Sequence, residues 1–351
     1  MTDRYDRHDD WFRRCGRSGL KLPAVSLGCW HNFGGAGTDA LSQPEADLHA
    51  NAAAMLHAAF DHGCTHFDLA NNYGPPPGSA EERVGRILKD DFADHRDELV
   101  ISTKAGYRMQ PGPYGDGGSR KYLLDSLDAS LRRLGTDHVD IFYHHRPDPN
   151  TPLDETLGAL DQAVCSGKAL YAAISNYSGA RTGEAMAVCG EHGLTRPILH
   201  QPSYSIFNRW IEPELLPTCA THGIGTIVFS PLAQGLLTEK YLDGVPADSR
   251  AGSSSQFLDE GRVTADAVEK ARKLATIAAD RGQTLAQFAL AWVLREQSVR
   301  TDGQAANRPT AVTSALIGAS RPGQVVDCCK CLEAGPISAE DLARVEQILA
   351  P

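Results

Sequence analysis

The sequence predicts a (β/α)₈ barrel, in which eight parallel strands alternate with the helices that cover them. Eight short apolar runs recur along the chain, and each is followed by a helical stretch: 24–30, 64–70, 98–104, 138–145, 170–176, 197–202, 223–230 and 313–320. Strands that are apolar on both faces are typical of a parallel sheet packed under helices. Eight such units are the number that a closed barrel needs.

The predicted helices are recognised by apolar residues that recur on one face. Leu124, Leu127, Leu131 and Leu134 follow one another at spacings of 3, 4 and 3 residues, which predicts a helix over 121–134. Similar patterns predict helices over 47–62, 80–90, 153–166, 179–191, 211–222, 264–281, 284–296 and 321–333, with a final packing helix over 337–349.

The remaining segments fit one domain spanning 1–351, because no break in composition divides the chain. The stretch "RRCGRSGLKLP" (13–23) predicts a hairpin that plugs the barrel floor. The connection at 231–263 is long after the seventh strand, and such loops are usually lids, binding loops or disordered segments. The segment 300–310 is interpreted as a surface insertion on the bottom face, away from the chemistry.

A doubly wound sheet is the alternative fold. Its dinucleotide-binding fingerprint G-x-G-x-x-A occurs once, at 35–40. This segment lies well past its strand and is not followed at once by a helix, so the match is interpreted as chance in a loop.

Composition excludes several classes of protein. The net charge of −10 disfavours nucleic acid or an anionic membrane as partner, although it says nothing about a small anionic ligand. No run of eighteen apolar residues and no apolar leader occur, so neither a membrane span nor a signal peptide is expected. Nine cysteines, an odd number, favour reduced thiols in the cytoplasm over a disulfide framework. The cysteines at 328, 329 and 331 are interpreted as packing or surface residues, and no metal is expected.

Titratable side chains collect where three successive predicted strands end. Asp68 ends the second strand, Tyr73 lies in the loop that follows, Lys104 ends the third strand, and His144 and His145 end the fourth. Chemistry in such a barrel occurs at the carboxyl ends of the strands, so these side chains are expected at one mouth. The prolines at 75–77 stiffen the loop that carries the phenol, which a merely solvated loop would not need.

This set of side chains could protonate a carbonyl oxygen. A phenol titrates near ~10, and a nearby ammonium favours the phenolate, so Lys104 is expected to lower the pKa of Tyr73. Asp68 can supply the counter-charge of Lys104, and a neutral imidazole can polarise a carbonyl. The structural alternatives are an Asp68–Lys104 pair that only stabilises the fold and a tyrosine that only packs. At least one of His144 and His145 is expected to be structural, because strand alternation sends them to opposite faces.

The motifs together resemble the aldo-keto reductase family, from about residue 17 to the end of the chain. They are "FDLANNYG", "ISTKAG", "DIFYHHRPDPNTPLDETLGAL", "ISNYS", "HQPSYSIFNR", "FSPLAQGLLTEKYLDG" and "LIGASRPGQ", in this order and at barrel spacing. Within the family the chain is similar to the branch of bacterial glyceraldehyde 3-phosphate reductases and of the β-subunits of voltage-gated potassium channels.

The resemblance implies a role for each of the four side chains. Tyr73 would be the proton donor, tuned by Lys104, which pairs with Asp68; His145 rather than His144 would orient the carbonyl. Hydride would pass from NADPH to a small aldehyde, such as glyceraldehyde 3-phosphate or methylglyoxal. A role in the detoxification of methylglyoxal is therefore also expected. The substrate pocket would be walled by Trp30, His31 and Tyr107.

The resemblance also implies a cofactor site at the same mouth. The carboxamide of the nicotinamide would be bound by residues at the ends of the fifth and sixth strands, and the nicotinamide ring would stack on an aromatic residue. The pyrophosphate and the adenosine would be bound at the ends of the last two strands. An arginine at a helix start suits the 2′-phosphate that distinguishes NADPH from NADH. The implied residues are Trp30, Ser175, Asn176, Gln201, Phe229, Ser230, Pro231, Leu232, Gln234, Gly235, Lys240, Arg250, Gly318, Ser320, Arg321 and Gln324.

An alternative function is that of a slow, cofactor-sensing regulatory subunit resembling the potassium-channel β-subunits. In that branch an asparagine stands where this chain has His145, so the histidine favours an enzyme. A hydrolase or isomerase on the same barrel would leave Phe229 and Arg321 without an evident purpose. The sequence is compatible with a homo-oligomer and does not identify the natural substrate.

Overall fold

The structure is a computed structural model that describes most of the 351-residue chain. The described residues are 4–7, 10–35, 45–242, 264–297, 299–301, 304–306 and 312–350. Arg250, most of the connection predicted at 231–263, most of the insertion predicted at 300–310 and part of the G-x-G-x-x-A match lie outside the described residues.

Eight of the described strands form one closed barrel. The strands are β1 (Phe12–Arg14), β2 (Lys21–Pro23), β3 (Val25–Gly28), β4 (His66–Asp68), β5 (Val100–Ala105), β6 (Val139–His144), β7 (Ala169–Ser175), β8 (Leu199–Gln201), β9 (Gly225–Phe229), β10 (Val299–Thr301), β11 (Gln304–Ala306) and β12 (Ser314–Ile317). The barrel runs from β3 to β9 in chain order and is closed by β12, which pairs with both β3 and β9. Its pairings are all parallel, so the predicted (β/α)₈ barrel is confirmed.

Ten described α-helices accompany the barrel, and each predicted helical stretch overlaps one of them. They are α1 (Glu45–Asp61), α2 (Ser79–Asp91), α3 (Arg120–Leu134), α4 (Leu153–Cys165), α5 (Gly179–His192), α6 (Leu215–His222), α7 (Ala265–Asp280), α8 (Leu285–Val293), α9 (Pro322–Cys328) and α10 (Ala339–Leu349). Within the described ranges, no helix has the length and apolar composition required to cross a membrane.

Three predicted helices extend too far by three or more residues. Helix α8 ends at Val293 rather than at 296. Helix α6 begins at Leu215 rather than at 211, because Pro213 disfavours the helical conformation of the residue before it. Helix α9 ends at Cys328 rather than at 333. There the amides of Lys330 and Cys331 bond to carbonyls three residues back, at 3.1 Å each, so tight turns replace the helical pattern.

The N-terminal hairpin closes the floor of the barrel, as predicted. Strands β1 and β2 pair antiparallel, and the turn between them carries Cys15, which is fully buried. The amide of Arg17 donates to the carbonyl of Gly223 at 2.9 Å. A Cβ on Gly225 would lie 2.8 Å from the Cα of Cys15, so only glycine lets the hairpin approach the start of β9 this closely.

The interior of the barrel has an apolar and a polar half. Side chains of β6 to β9 and β12 form an apolar cluster that continues into the hairpin and includes Ile141, Ala173, Leu199, Ile227 and Leu316. The interior positions of β3, β4 and β5 instead carry Ser26, His66, Asp68, Ser102 and Lys104, all fully buried. Buried polar groups must be hydrogen-bonded to be tolerated. The polar half therefore needs an internal network of partners.

Close packing of α2 against α3 gives a test of the fold. A Cβ on Gly85 would lie 2.5 Å from the carbonyl oxygen of Arg133 and 2.7 Å from the Cα of Leu134. We expect Gly85→Ala to lower the free energy of unfolding by about 1–3 kcal/mol, because the two helices must move apart. Urea unfolding followed by circular dichroism measures this change.

Gly183, in α5, is the matched control, because a Cβ there would have no atom within 4 Å. Gly183→Ala is expected to raise stability by about 0.5–1 kcal/mol, since alanine costs less backbone entropy in a helix. Equal effects of the two substitutions would contradict the close contact between α2 and α3.

Candidate active site

A buried ion pair joins the ends of β4 and β5. The ammonium of Lys104 donates to Oδ2 of Asp68, and both side chains are fully buried. Lys104 also donates to the carbonyl oxygen of Leu69 at 2.7 Å. Oδ1 of Asp68 accepts from Ser102 Oγ at 2.6 Å and from Gln201 Nε2 at 3.2 Å. The carboxylate is thus held by three side chains from two other strands, β5 and β8, which fixes its orientation.

Tyr73 reaches the same mouth from the loop after β4. Its hydroxyl lies 3.3 Å from Nζ of Lys104, with the ammonium donating. The amide of Tyr73 donates to Ala70 O at 3.0 Å, and its carbonyl accepts from the amide of Gly78 at 3.0 Å. The loop is also tied to β3's loop, since the amide of Gly35 donates to Pro75 O at 2.9 Å. These bonds hold the phenol beside the ammonium, as the stiff loop predicts.

The predicted lowering of the Tyr73 pKa is wrong in its net direction. Burial raises the pKa of Tyr73, and this outweighs the opposing effect of the Lys104 ammonium. For Lys104, burial acts to lower the pKa, but the Asp68 carboxylate and Tyr73 raise it overall. Sequence reasoning counted the ammonium and missed the loss of water around the phenol. Both groups therefore hold their protons at neutral pH.

The two consecutive histidines lie on opposite faces, as strand alternation predicts. His144 points outward, where its Nδ1 lies 2.7 Å from the Tyr177 hydroxyl. His145 lies at the mouth, with its ring centroid 5.8 Å from that of Tyr73 and 4.6 Å from that of Tyr107. Burial, together with the charge of Lys104, holds the pKa of His145 well below its ordinary value. The imidazole at the mouth is therefore neutral.

Aromatic side chains line the mouth around Tyr73. The ring of Trp30 lies 6.1 Å from that of Tyr73 and 4.7 Å from that of His31. Tyr107 is 38% exposed and lies under the guanidinium of Arg146 at 4.9 Å. The structure thus brings the three predicted pocket residues to the same mouth as the ion pair.

The ends of β7 and β8 bond to each other and to His145. Ser175 Oγ donates to Gln201 O at 2.7 Å, and Asn176 Nδ2 donates to His145 O at 3.0 Å. Asn176 adopts a left-handed conformation with φ of 61°. Such a conformation is uncommon outside glycine and is concentrated at functional sites. These three predicted cofactor residues therefore adjoin His145 and the ion pair.

The loop after β9 has the same unusual backbone. Ser230 and Gln234 have φ values of 55° and 58°, and Ala233 between them has 47°. The Oε1 atom of Gln234 is buried, and the described residues give it no hydrogen-bond partner. The loop carries the residues predicted for the pyrophosphate, together with Pro231: Ser230, Leu232, Gln234 and Gly235. Phe229, predicted to stack on the nicotinamide ring, ends β9, and Lys240, predicted at the adenosine end, follows at a short 3-10 turn.

The turn between β12 and α9 places the last predicted residues at the rim. Ser320 donates to Oε1 of Gln324 from its amide at 2.8 Å and from Oγ at 3.1 Å. Arg321 immediately precedes α9 and is exposed, as is Gly318 at the strand end. Asn51 Nδ2 donates to Ser320 O at 2.9 Å, which ties the turn to α1.

Sequence reasoning missed several residues that support the site. Ser102 lies two positions before Lys104 and shares its inward face by the alternation of the strand, which could have identified it. Asn71 Nδ2 donates to the Tyr122 hydroxyl at 3.1 Å, and Tyr122 in turn donates to the carbonyl of Tyr107. No pattern in the sequence reveals this link between the loops after β4 and β5.

Fold and geometry define a parallel barrel whose mouth holds a protonated phenol, a buried ammonium–carboxylate pair and a neutral imidazole. The chain matches the model of the aldo/keto reductase family over residues 24–350. It is 50% identical to the L-glyceraldehyde 3-phosphate reductases of Escherichia coli O157:H7 and strain K12 over 347 residues, covering 97% of this chain and 92% of each relative. It is 36% identical, over 96% of each chain, to a probable voltage-gated potassium channel subunit beta of Oryza sativa subsp. japonica.

The chain therefore belongs to the aldo/keto reductase family, and the predicted resemblance is confirmed. This membership makes it an oxidoreductase. The assignment of individual residues to catalysis and cofactor binding is taken up below as a proposal.

Breaking the buried ion pair gives a test of its energetics. Lys104→Met would leave the Asp68 carboxylate buried without its counter-charge, so we expect the free energy of unfolding to fall by about 3–5 kcal/mol. Adding Asp68→Asn should restore part of this loss, because the unpaired charge is then removed. Urea unfolding of the single and double variants measures the coupling.

The matched control is Lys168→Met, which removes an ion pair whose side chains are each 42% exposed. An exposed pair contributes about 0–1 kcal/mol, so little change is expected. A loss in Lys104→Met no larger than in this control would contradict a buried and strongly coupled pair.

Proposed function

We propose that this protein reduces small aldehydes to alcohols with NADPH, and that Tyr73 is the proton donor. The observation that carries the proposal is the hydroxyl of Tyr73 held 3.3 Å from Nζ of Lys104, which is itself paired with Asp68. A protonated phenol next to a positive charge is suited to give its proton to an oxygen that is becoming negative.

The proposed steps use four side chains of the chain. The neutral imidazole of His145 donates a hydrogen bond to the aldehyde oxygen and orients the carbonyl. A reduced nicotinamide, when bound, supplies the hydride that reaches the carbonyl carbon. As charge develops on the oxygen, Tyr73 gives it the proton of its Oη, and Lys104 stabilises the phenolate that remains. Asp68 keeps Lys104 charged and directed at the phenol, and the phenolate regains a proton from water.

The cofactor is proposed because several features of the mouth fit a dinucleotide. Ser175, Asn176 and Gln201 offer amide and hydroxyl groups beside the proton donor, which suits a carboxamide. The buried, unpartnered Oε1 of Gln234 and the left-handed loop around it fit a polar ligand that lies against the backbone. Exposed Arg321 before α9 suits a phosphate and therefore favours NADPH over NADH.

The proposed substrate class is small aldehydes, with glyceraldehyde 3-phosphate and methylglyoxal as the first candidates. The Escherichia coli relatives that share half of their residues with this chain are named for the reduction of L-glyceraldehyde 3-phosphate. The mouth between Trp30, His31 and Tyr107 is lined by aromatic and polar groups, which suits a small, polar carbonyl compound.

A regulatory subunit is the second candidate, because relatives at 35–36% identity are named as potassium-channel β-subunits. The neutral His145 next to Tyr73 favours the enzyme, since a carbonyl oxygen would be polarised there. We further propose a reducing compartment such as the cytoplasm, because all nine cysteines are free and eight of them are buried.

Tyr73→Phe tests the proton donor. NADPH oxidation is followed by absorbance with glyceraldehyde 3-phosphate, methylglyoxal and an aromatic aldehyde. We expect kcat to fall by about 10²–10⁴, because general acid catalysis is lost, while the affinity for NADPH stays within about twofold. Tyr114→Phe removes the hydroxyl of a tyrosine that is 59% exposed and serves as the matched control.

Fast turnover that collapses only in Tyr73→Phe would support the reductase, and the ranking of substrates would narrow its role. Tight binding of NADPH with negligible turnover of every aldehyde by the parent protein would overturn the enzyme and favour the regulatory subunit.

Arg321→Ala tests the preference for NADPH. Loss of a charge-assisted contact to the 2′-phosphate should weaken NADPH binding by roughly tenfold or more, while NADH binding is unchanged. Fluorescence titration with each cofactor measures both affinities, and Arg132→Ala in α3 is the control for an exposed arginine. A parallel loss for NADPH and NADH would mean that Arg321 does not distinguish the two.

A further inference from the structure

A continuous chain of hydrogen bonds runs through the polar half of the barrel, starting at the carboxylate of Asp68. Ser102 Oγ donates to Asp68 Oδ1 at 2.6 Å, and His66 Nε2 lies 2.9 Å from Ser102 Oγ. His66 Nδ1 lies 2.9 Å from Ser26 Oγ, which lies 2.6 Å from Ser314 Oγ. The chain therefore links β4, β5, β3 and β12, and each of its members is fully buried.

The direction of every proton in this chain follows from its end at Asp68. An ionised carboxylate can only accept hydrogen bonds, so the single hydroxyl proton of Ser102 must be donated to Asp68. Ser102 can then only accept from His66, which places the imidazole proton on Nε2. The bare Nδ1 of His66 in turn accepts from Ser26. Ser26 then accepts from Ser314, whose contact with Ser26 Oγ at 2.6 Å is shorter than its contact with the carbonyl of Ala24 at 3.4 Å.

His66 must be neutral for this order to hold, and its surroundings keep it so. Burial lowers the pKa of His66 to about 4; Asp68 acts to raise it and Lys104 to lower it further. A neutral imidazole with one donor and one acceptor nitrogen fits between two serines without leaving a polar atom unpaired. The opposite half of the interior is filled by apolar side chains, so filling the barrel does not require these polar groups.

We infer that Ser102, His66, Ser26 and Ser314 are positioning residues that hold the Asp68 carboxylate in the orientation that pairs it with Lys104. Each hydroxyl or imidazole donates towards the carboxylate, and hydrogen bonds in series polarise one another. The chain thereby fixes the carboxylate with which Lys104 pairs, and through Lys104 it fixes the position of the ammonium beside the Tyr73 hydroxyl. The effect on activity rests on the proposed function.

Titratable groups outside the hydrogen-bond chain also interact electrostatically with Asp68, so any test must leave these residues unsubstituted. They are Lys104, Tyr73, Tyr143 and Cys29; within the chain, His66 interacts with Asp68 as well. His145 in turn faces Lys104. The variants below therefore leave Lys104, Tyr73, Tyr143, Cys29 and His145 unchanged.

The first experiment reads the tautomer of His66 directly in the full-length protein. Nitrogen-15 NMR of histidine-labelled protein distinguishes protonated from bare ring nitrogens, and His66→Gln identifies the resonances by their loss. We expect a neutral ring protonated at Nε2 that does not titrate between pH 6 and 8, since its pKa is about 4. A ring protonated at Nδ1, or an imidazolium in this range, would overturn the inference whatever the enzyme does.

The second experiment compares the steady-state kinetics of aldehyde reduction in variants along the chain. Both kcat and KM are measured at pH 7. Without the bond from Ser102, Oδ1 of Asp68 loses a donor and the carboxylate can turn away from Lys104. In Ser102→Ala we therefore expect kcat to fall by about tenfold. The loss should be smaller in His66→Leu and smallest in Ser26→Ala, because these residues lie further along the chain. KM for the aldehyde should stay within about twofold.

Two controls separate this role from packing. His66→Gln keeps one donor and one acceptor and should restore the parent kcat. His200→Leu removes another fully buried histidine on a barrel strand, whose Nε2 bonds to the carbonyl of Tyr177 at 3.1 Å, and should leave kcat unchanged. Equal losses of kcat in His200→Leu and His66→Leu, or no loss in Ser102→Ala, would overturn the inference.

If His66→Leu failed to fold, the inference would be tested by the kinetics of Ser26→Ala, which removes only one hydroxyl, and by the tautomer of His66 in the NMR experiment. If the parent protein turned over no aldehyde, the proposed function would fail, and the tautomer alone would decide the direction of the chain.

Discussion

The ion pair between Asp68 and Lys104 is the constraint on which the rest of the site depends. Two charges buried together cost free energy unless their remaining hydrogen-bonding capacity is filled. Here it is filled by the carbonyl of Leu69 and by the side chains of Ser102 and Gln201. Three strands must therefore present matching groups at the same level of the barrel, which explains why one half of its interior is polar.

Tyr73 contacts the same pair but is positioned by different means. Backbone bonds at both sides of Tyr73 fix its loop, and the loop after β3 is bonded to the prolines that follow it. His145 is fixed likewise, since its amide donates to Ala105 O at 2.8 Å and its carbonyl accepts from Asn176. A site assembled from loops thus gains the rigidity of the strands to which those loops are bonded. Such preorganisation lowers the cost of ordering during the reaction.

The sequence correctly predicted the features of the fold that depend on hydrophobic periodicity. Eight apolar runs predicted eight barrel strands, and the residues at their ends predicted the gathering of Asp68, Lys104 and Tyr73 because parallel strands end at one mouth. It did not predict the properties of side chains that depend on their burial in the folded protein. The pKa of Tyr73 is raised rather than lowered, because the loss of water outweighs a charge that sequence spacing alone suggests.

The interior network was likewise hidden from the sequence. His66 and Ser26 become partners only when β3 lies beside β4 in the closed barrel. Helix ends at α6 and α9 were also misplaced, because Pro213 and the turn bonds after Cys328 act locally against the helical pattern.

The plugged floor has a consequence for the order of events at the site. The hairpin of β1 and β2 covers one end and side chains fill the interior, so within the described residues Tyr73 is approached from the opposite end. Under the proposed function, a cofactor and an aldehyde would both approach from that side, and whichever lay deeper would bind first and leave last.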